Sequence, residues 1–309
     1  MDNIPDSLRA HRLAPEHQVE VLEGQVVWSP QKSLWFSAMA LGAVLGGTLY
    51  FTWGGALVFI GSTCTALLLG HSLGSHRKLI HDSFQCPKWL EYLLVWCGTQ
   101  VGLAGPLGLL AQHELRDYAQ RLPDCHPYLR HGRPLWVDAW WQLHCELQLA
   151  RPPALRLEAR IADDRFYRWL ERSWMLQQLP PAVLLFAWGG WSFVLWGVCA
   201  RVTAGVLGHW LIGFFAHNHG DIKHIVQGAA VQGRNIRWTS LLTMGECWHN
   251  NHHAFPGSAR LGLAEGEWDP GWWLLLGLQK LGLVWGLQLP ADLAPRAELR
   301  AVPSRAVMS

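Results

Sequence analysis

The chain has 309 residues, half of them hydrophobic, and only 16% are charged, against roughly 25% in an ordinary soluble globular protein. The formal net charge is +2 and no lysine or arginine run is long enough to follow a phosphate backbone, so nucleic-acid binding has no support. Seven cysteines without a CxxC pair exclude a disulfide scaffold and a cysteine-zinc site, which leaves 20 tryptophans and 16 histidines in an apolar chain to be explained.

In chain order, residues 1–30 are too polar for a signal peptide and read as a cytoplasmic tail. Residues 34–50 and 53–70 are free of charge, and each approaches the roughly 20 helical residues that cross a hydrocarbon core. The short Gly/Thr-bearing link between them predicts a tight helical hairpin. A third apolar run, 92–110, is broken by Gly102, Gly105, Pro106 and Gly108 and suits a re-entrant or surface-lying segment. From His113 to Gln178 the chain is polar. Pro180 and Pro181 then open a second hairpin, with spans expected at 181–200 and 202–217. An even number of crossings puts both ends on one side, and Arg77, Lys78, Lys88, Arg201 and Lys223 near the membrane ends make that side the cytoplasm. The stretch from Asp269 to Leu289 is expected to lie on the interface or pack against the domain. The expected fold class is all-α: an integral membrane domain over 31–290, with four spanning helices in two hairpins and a cytosolic helical cap, followed by a tail over 291–309. A bacterial inner membrane is the expected setting.

The histidines gather where apolar runs end. His71 and His76, in HSLGSH, close the second run; five residues are about 500° of α-helical rotation, so a helix end or local unwinding must turn both rings to one point. In GECWHNNHHAF, His249, His252 and His253 have the i, i+3, i+4 spacing of one helix side. Three imidazoles buried together need partners for their nitrogens, and a divalent metal supplies one. His217 and His219 end the fourth run as His71 and His76 end the second. In QHELRDYAQRLPDCH, His113 and Asp117 share a helical face, with Asp124 and His126 beyond a proline, and carboxylate with imidazole is an ordinary iron-binding set. Asn235 and Asn251 read as either holders of a metal-bound water or turn residues, and His209 and His224 as structural or headgroup-facing.

These motifs resemble the membrane-bound fatty acid desaturases of the acyl-CoA desaturase type, which carry three histidine boxes. HSLGSH is similar to the first box, HxxxxH, and HNNHH in TMGECWHNNHHAFPGSARLG is similar to the third, HxxHH. The second box of that family has the form HRxHH, and here the matching place reads HELRD, so His113 is kept while Arg116 and Asp117 stand in place of histidines. The resemblance implies a centre of two ferrous ions held by His71, His76, His113, His217 or His219, His249, His252 and His253, with Asp117 and His126 as replacement ligands.

It also implies O2-dependent desaturation of a fatty acyl chain, either acyl-CoA or lipid-linked, at the membrane. The arginines at 156, 160, 165, 168 and 172 are placed to hold a headgroup or to flank the membrane surface. No GxGxxG fingerprint, ferredoxin-like cysteine set or CxxCH haem attachment is present, so electrons must come from a ferredoxin, cytochrome or reductase. A di-iron lipid hydroxylase, or a non-catalytic lipid-binding protein on the same scaffold, are the alternatives.

Overall fold

Four apolar helical legs, folded back on one another, carry the histidines to one end of the molecule. The computed structural model describes residues 12–14 and 20–303. The first leg is α1, Pro30–Thr48, started by a proline whose fixed φ suits the first helical turn. The second begins as α2, Trp53–Thr65, where the Thr52 hydroxyl caps the helix by accepting from Gly55 N at 2.9 Å. It continues without a break into a wide, π-helical segment, Ala66–Ile80.

The second pair of legs begins with α8, Leu179–Val194, and continues through a wide segment, Leu195–Ala200, into α9, Arg201–Asn218. The reversal between them lies at Gly189–Gly190, not between residues 200 and 202 as expected. Gly190 has φ +63° and ψ −153°, a backbone state closed to residues with a Cβ, whereas Arg201 simply continues a helix. Two contacts fix the fold-back: Arg201 donates to Gln178 Oε1, and a side chain on Gly197 would collide with Leu185. The tips of the two hairpins meet where the Thr52 and Ser192 hydroxyls lie 2.7 Å apart.

Among the described residues, two helical stretches, Trp53–Ile80 and Leu176–Asn218, are long and apolar enough to cross a membrane, the second of them doubling back at Gly189–Gly190. The first has 28 residues. At the α-helical 1.5 Å per residue its upper bound is about 42 Å, from which the wide segment shortens it, against about 30 Å for a hydrocarbon core. Leu41, Val44, Leu57, Ile60, Val183 and Leu184 turn outward along the legs, and a surface so apolar belongs with a membrane.

The polar middle of the chain packs around the protruding ends. The run 92–110 is shared between α3, Lys88–Thr99, and α4, Pro106–Arg121. Both are buried against the wide segment, in a core of Leu79, Ile80, Val95, Leu110, Tyr167 and Leu170. Gly70 and Gly74 permit this, because a Cβ on either would overlap the backbone of Cys97 or Leu94. Next come α5, Leu135–His144; a short α6, Ala159–Ala162; and α7, Arg165–Ser173. Farther on, α10, His249–Ala254, lies at the site, and α11, Pro270–Lys280, seats Leu275 against Leu73 and Phe84.

The fold is mostly helical rather than all-α. Among the described residues, three antiparallel two-stranded sheets pair β1, Leu13–Ala14, with β4, Ala154–Leu155; β2, Glu20–Trp28, with β3, Cys145–Arg151; and β5, His224–Val226, with β6, Leu299–Ala301. β2 and β6 thus tie down segments that the sequence alone assigns to the two tails. Val26 and Leu147 from the longest sheet pack on Tyr118 and Leu129.

Candidate metal centre

The first histidine set is built by the wide segment. In an α-helix residues five apart diverge, but here the backbone N–H of His81 donates to the His76 carbonyl at 3.1 Å, an i→i+5 turn that brings the two rings to the same side. Their centroids are 4.8 Å apart. His113 from α4 and His252 from α10 complete a set whose ligand nitrogens all lie within 4.8 Å of one another. His76 presents Nδ1 to the Glu246 carboxylate at 2.6 Å, which leaves its Nε2 free to face the centre. Apart from His76, whose Nδ1 is in ion-pair reach of Glu246, the other three rings have buried nitrogens with no hydrogen-bond partner: His81 Nε2, His113 Nδ1 and both nitrogens of His252. Such orphaned groups are costly without a partner, and a metal ion is the partner that suits four imidazoles.

The second set joins His217 at the end of α9 to His249 and His253 of α10. His249 Nε2 stands 3.0 Å from both His217 Nε2 and His253 Nε2. Two ligands about 2.1 Å from one metal and at right angles to each other are separated by about 3.0 Å, so this spacing fits a shared ion. His217 Nδ1 lies 2.6 Å from the Gly213 carbonyl, and donation there leaves Nε2 unprotonated. The short helix α10 therefore serves both sets, His252 turning to one and His249 and His253 to the other.

Asparagines hold α10 in place. Asn235 Oδ1 accepts from Asn250 N at 2.9 Å, and its amide donates to Asn251 Oδ1 at 3.0 Å. Asn250 Oδ1 accepts from the backbone N–H groups of Lys223 and His224, each at 2.8 Å. Asn251 donates to Leu261 O and Glu267 Oε2, each at 2.8 Å. Of the two readings of Asn235 and Asn251, these bonds describe the second, turn residues with a structural role, here bracing α10.

Burial is the main force on the site's charge. It pushes His81, His249 and His252 well below the usual histidine range, with neighbouring imidazoles adding to the effect, and takes His253 to about 4. At neutral pH these rings are uncharged, the form that ligates metal. Burial alone would raise the Glu246 carboxyl, but His76 and Arg77 outweigh it and hold the group ionised.

The profile of the family described as fatty acid desaturase matches residues 52–265, a span that includes all seven histidines of the two sets. The chain belongs to the fatty acid desaturase family. This desaturase, an oxidoreductase, is 37% identical over 222 residues to the sn-1 stearoyl-lipid 9-desaturase of Anabaena variabilis, covering 72% of this chain and 79% of that one. It is 35% identical over 231 residues to the sn-1 stearoyl-lipid 9-desaturase of Synechocystis sp., covering 73% and 69%. To the chloroplastic palmitoyl-monogalactosyldiacylglycerol delta-7 desaturase of Arabidopsis thaliana it is 30% identical over 300 residues, covering 88% and 76%.

Among the residues singled out in the desaturase's sequence, His76, His113, His217, His249, His252 and His253 come together. His71 stands outside both sets, its ring 5.2 Å from that of His209. His126 lies apart, accepting from Tyr128 N at 3.2 Å and stacked on Trp141. His219 caps the end of α9 against Phe215. Asp117 is buried beside His113, Oδ2 to Nδ1 3.9 Å. Arg116 turns away into a polar nest, bonded to His131 and donating to Gln142 Oε1 at 3.0 Å. His131 in turn is 2.8 Å from Asp138 Oδ2 and stacks on His217.

His81 and Glu246 escaped the sequence reading. HRKLIH has the same HxxxxH spacing as HSLGSH, but its basic residues read as a positive membrane flank. In the fold Arg77 and Lys78 are buried and paired, Arg77 to Asp269 at 2.8 Å and Lys78 to Asp82 at 2.6 Å. Glu246 lies three residues before His249, and nothing in that spacing reveals a partner 170 residues away in sequence.

Proposed function

We propose that the desaturase introduces a double bond into the fatty acyl chain of a membrane lipid, using O2, two iron ions and electrons from an external ferredoxin, cytochrome or reductase. The observation that carries this reading is the convergence of seven buried or half-buried imidazoles into two adjacent sets, the first of which has buried nitrogens without a hydrogen-bond partner. His76, His81, His113 and His252 would hold one iron, and His217, His249 and His253, with Asp117, the other. His71, His126 and His219 then serve other roles.

Bound iron, with O2, two external electrons and two protons, would supply the oxidising power to remove two hydrogens from neighbouring methylenes, giving an alkene and two waters. The chain's own groups do the rest. Glu246 and the Gly213 carbonyl orient His76 and His217, and the asparagine brace keeps α10 between the two sets. The apolar legs offer the acyl chain a path to the site from the lipid side. The relatives named for stearoyl-lipid and palmitoyl-monogalactosyldiacylglycerol substrates support an acyl-lipid. In this reading four legs span a bacterial inner membrane, and the site and both termini lie in the cytoplasm.

Replacement of two second-box histidines by Arg116 and Asp117 favours one second reading, hydroxylation of the acyl chain at the same site. Iron analysis and lipid product analysis of the purified, reconstituted protein test both. Roughly two irons per chain and a new cis double bond are the expected result. A hydroxylated acyl chain would establish the second reading, and metal-free protein with unaltered lipid would overturn both.

A further inference from the structure

The helix α7, Arg165–Ser173, is the last element before the second hairpin, and its two faces differ sharply. Tyr167 and Leu170 are buried in the core. The helix has one carboxylate of its own, Glu171, and it points inward, accepting from the backbone N–H groups of Leu107 and Gly108 at 2.8 and 3.0 Å. Asp164 is likewise engaged, capping the helix through Phe166 N and pairing with Lys88.

The outer face keeps only cations. Arg165, Arg168 and Arg172 lie along it and, with Trp169 and Ser173, line a cleft of about 410 Å³. Among the described residues no carboxylate pairs with any of the three arginines; Arg168 makes one bond, to the Asp163 carbonyl at 3.0 Å. Trp169 is 52% exposed in the middle of this face, and the next outward residues along the chain are Leu176 and Leu179, 61% and 58% exposed, at the start of the apolar hairpin. Guanidinium groups grip phosphate oxygens in pairs, and tryptophan favours the headgroup level of a bilayer. An acidic protein would satisfy the charge, but it would leave Trp169 and the two leucines against water. A lipid phosphate satisfies both.

We propose that Arg165, Arg168 and Arg172, around Trp169, form a binding site for the phosphate of an anionic phospholipid headgroup in the leaflet next to the metal centre. The site rests on the reading that the hairpins lie in a bilayer, and it is independent of iron.

The full chain is reconstituted in nanodiscs of phosphatidylcholine with or without phosphatidylglycerol, and its thermal midpoint is read for wild type and for Arg165→Gln/Arg168→Gln/Arg172→Gln. Phosphatidylglycerol should raise the wild-type midpoint, high salt should diminish the rise, and the triple variant should lose it. If the triple variant does not fold, Arg168→Gln alone should show a reduced rise. An equal rise in wild type and variant, or no advantage of phosphatidylglycerol over phosphatidylcholine, would overturn the site. So would coenzyme A alone giving the same rise in phosphatidylcholine discs. The midpoint is read whether or not iron is bound, so loss of the redox reading would leave this result standing, and the converse.

Discussion

The backbone N–H of His81 reaches back five residues to the carbonyl of His76, and the same turn sets their rings 4.8 Å apart in one cluster. A wide turn of this kind is rare and costs regular hydrogen bonding, so it persists where side-chain function or packing holds it. Here both do: the glycine face of the segment is pressed against α3, and its histidine face points to α4 and α10.

His81→Ala should therefore remove about half of the bound metal, since one of the two sets loses a ligand, and should abolish product formation. His71→Ala, outside both sets, should leave the metal content unchanged. Plasma emission analysis of the purified variants compares them; equal loss in both would contradict the assignment of His81 to the set.

Glu246→Gln keeps the shape of the side chain but removes the charge that orients His76 from 2.6 Å. The expected effect is a loss of about 10- to 100-fold in metal affinity with the fold intact. A competition titration against a chelator measures it, and circular dichroism checks the fold.

Asp117 is a buried carboxylate flanked by two basic groups, His113 Nδ1 at 3.9 Å and Arg121 Nη2 at 3.8 Å, both beyond hydrogen-bond reach. Burial alone would raise its pKa, but His113, His253 and Arg121 hold it ionised. Asp117→Ala should lower occupancy to about one metal per chain, while Asp117→His, which restores an imidazole at this place in the second box, should retain about two. Metal analysis of the two variants side by side decides this, and full occupancy in Asp117→Ala would remove Asp117 from the ligand set.

The contact between α3 and α7 should make stability depend on pH. Burial would raise the carboxyls of Glu91 and Asp164, but Lys88, at 2.8 and 3.0 Å from them, together with Tyr167 and Tyr92, holds both below their ordinary values of 4.5 and 3.8. A carboxyl depressed in the fold binds fewer protons there than in the unfolded chain, so its stabilisation is complete above those values and is lost as pH falls through and below them. The unfolding midpoint should fall across that range, and Lys88→Gln should flatten the fall. A profile identical to wild type would show that the pair does not act as described.

How far the sequence reaches differs from one part of the molecule to another. The apolar runs announce themselves because length and absence of charge are local properties, and the motif HNNHH is legible for the same reason. The position of the second reversal was not, since Gly189–Gly190 lies inside an uninterrupted apolar stretch and only tertiary contacts, of Arg201 with Gln178 and of Leu185 against Gly197, mark it as a turn. The small sheets were hidden because their partners lie far apart in sequence, as Trp28 and Cys145 do.

By itself the sequence determined that the chain is mostly apolar helix and that its histidines gather at the ends of those helices, because hydropathy and spacing are written residue by residue. Only the tertiary structure decided which imidazoles meet. His81 replaces His71, and α10 divides its three rings between two sets. These choices depend on how the wide segment, α4, α9 and α10 pack against one another, and packing between segments from 32 residues (His81 and His113) to 176 residues (His76 and His252) apart leaves no trace in any local pattern.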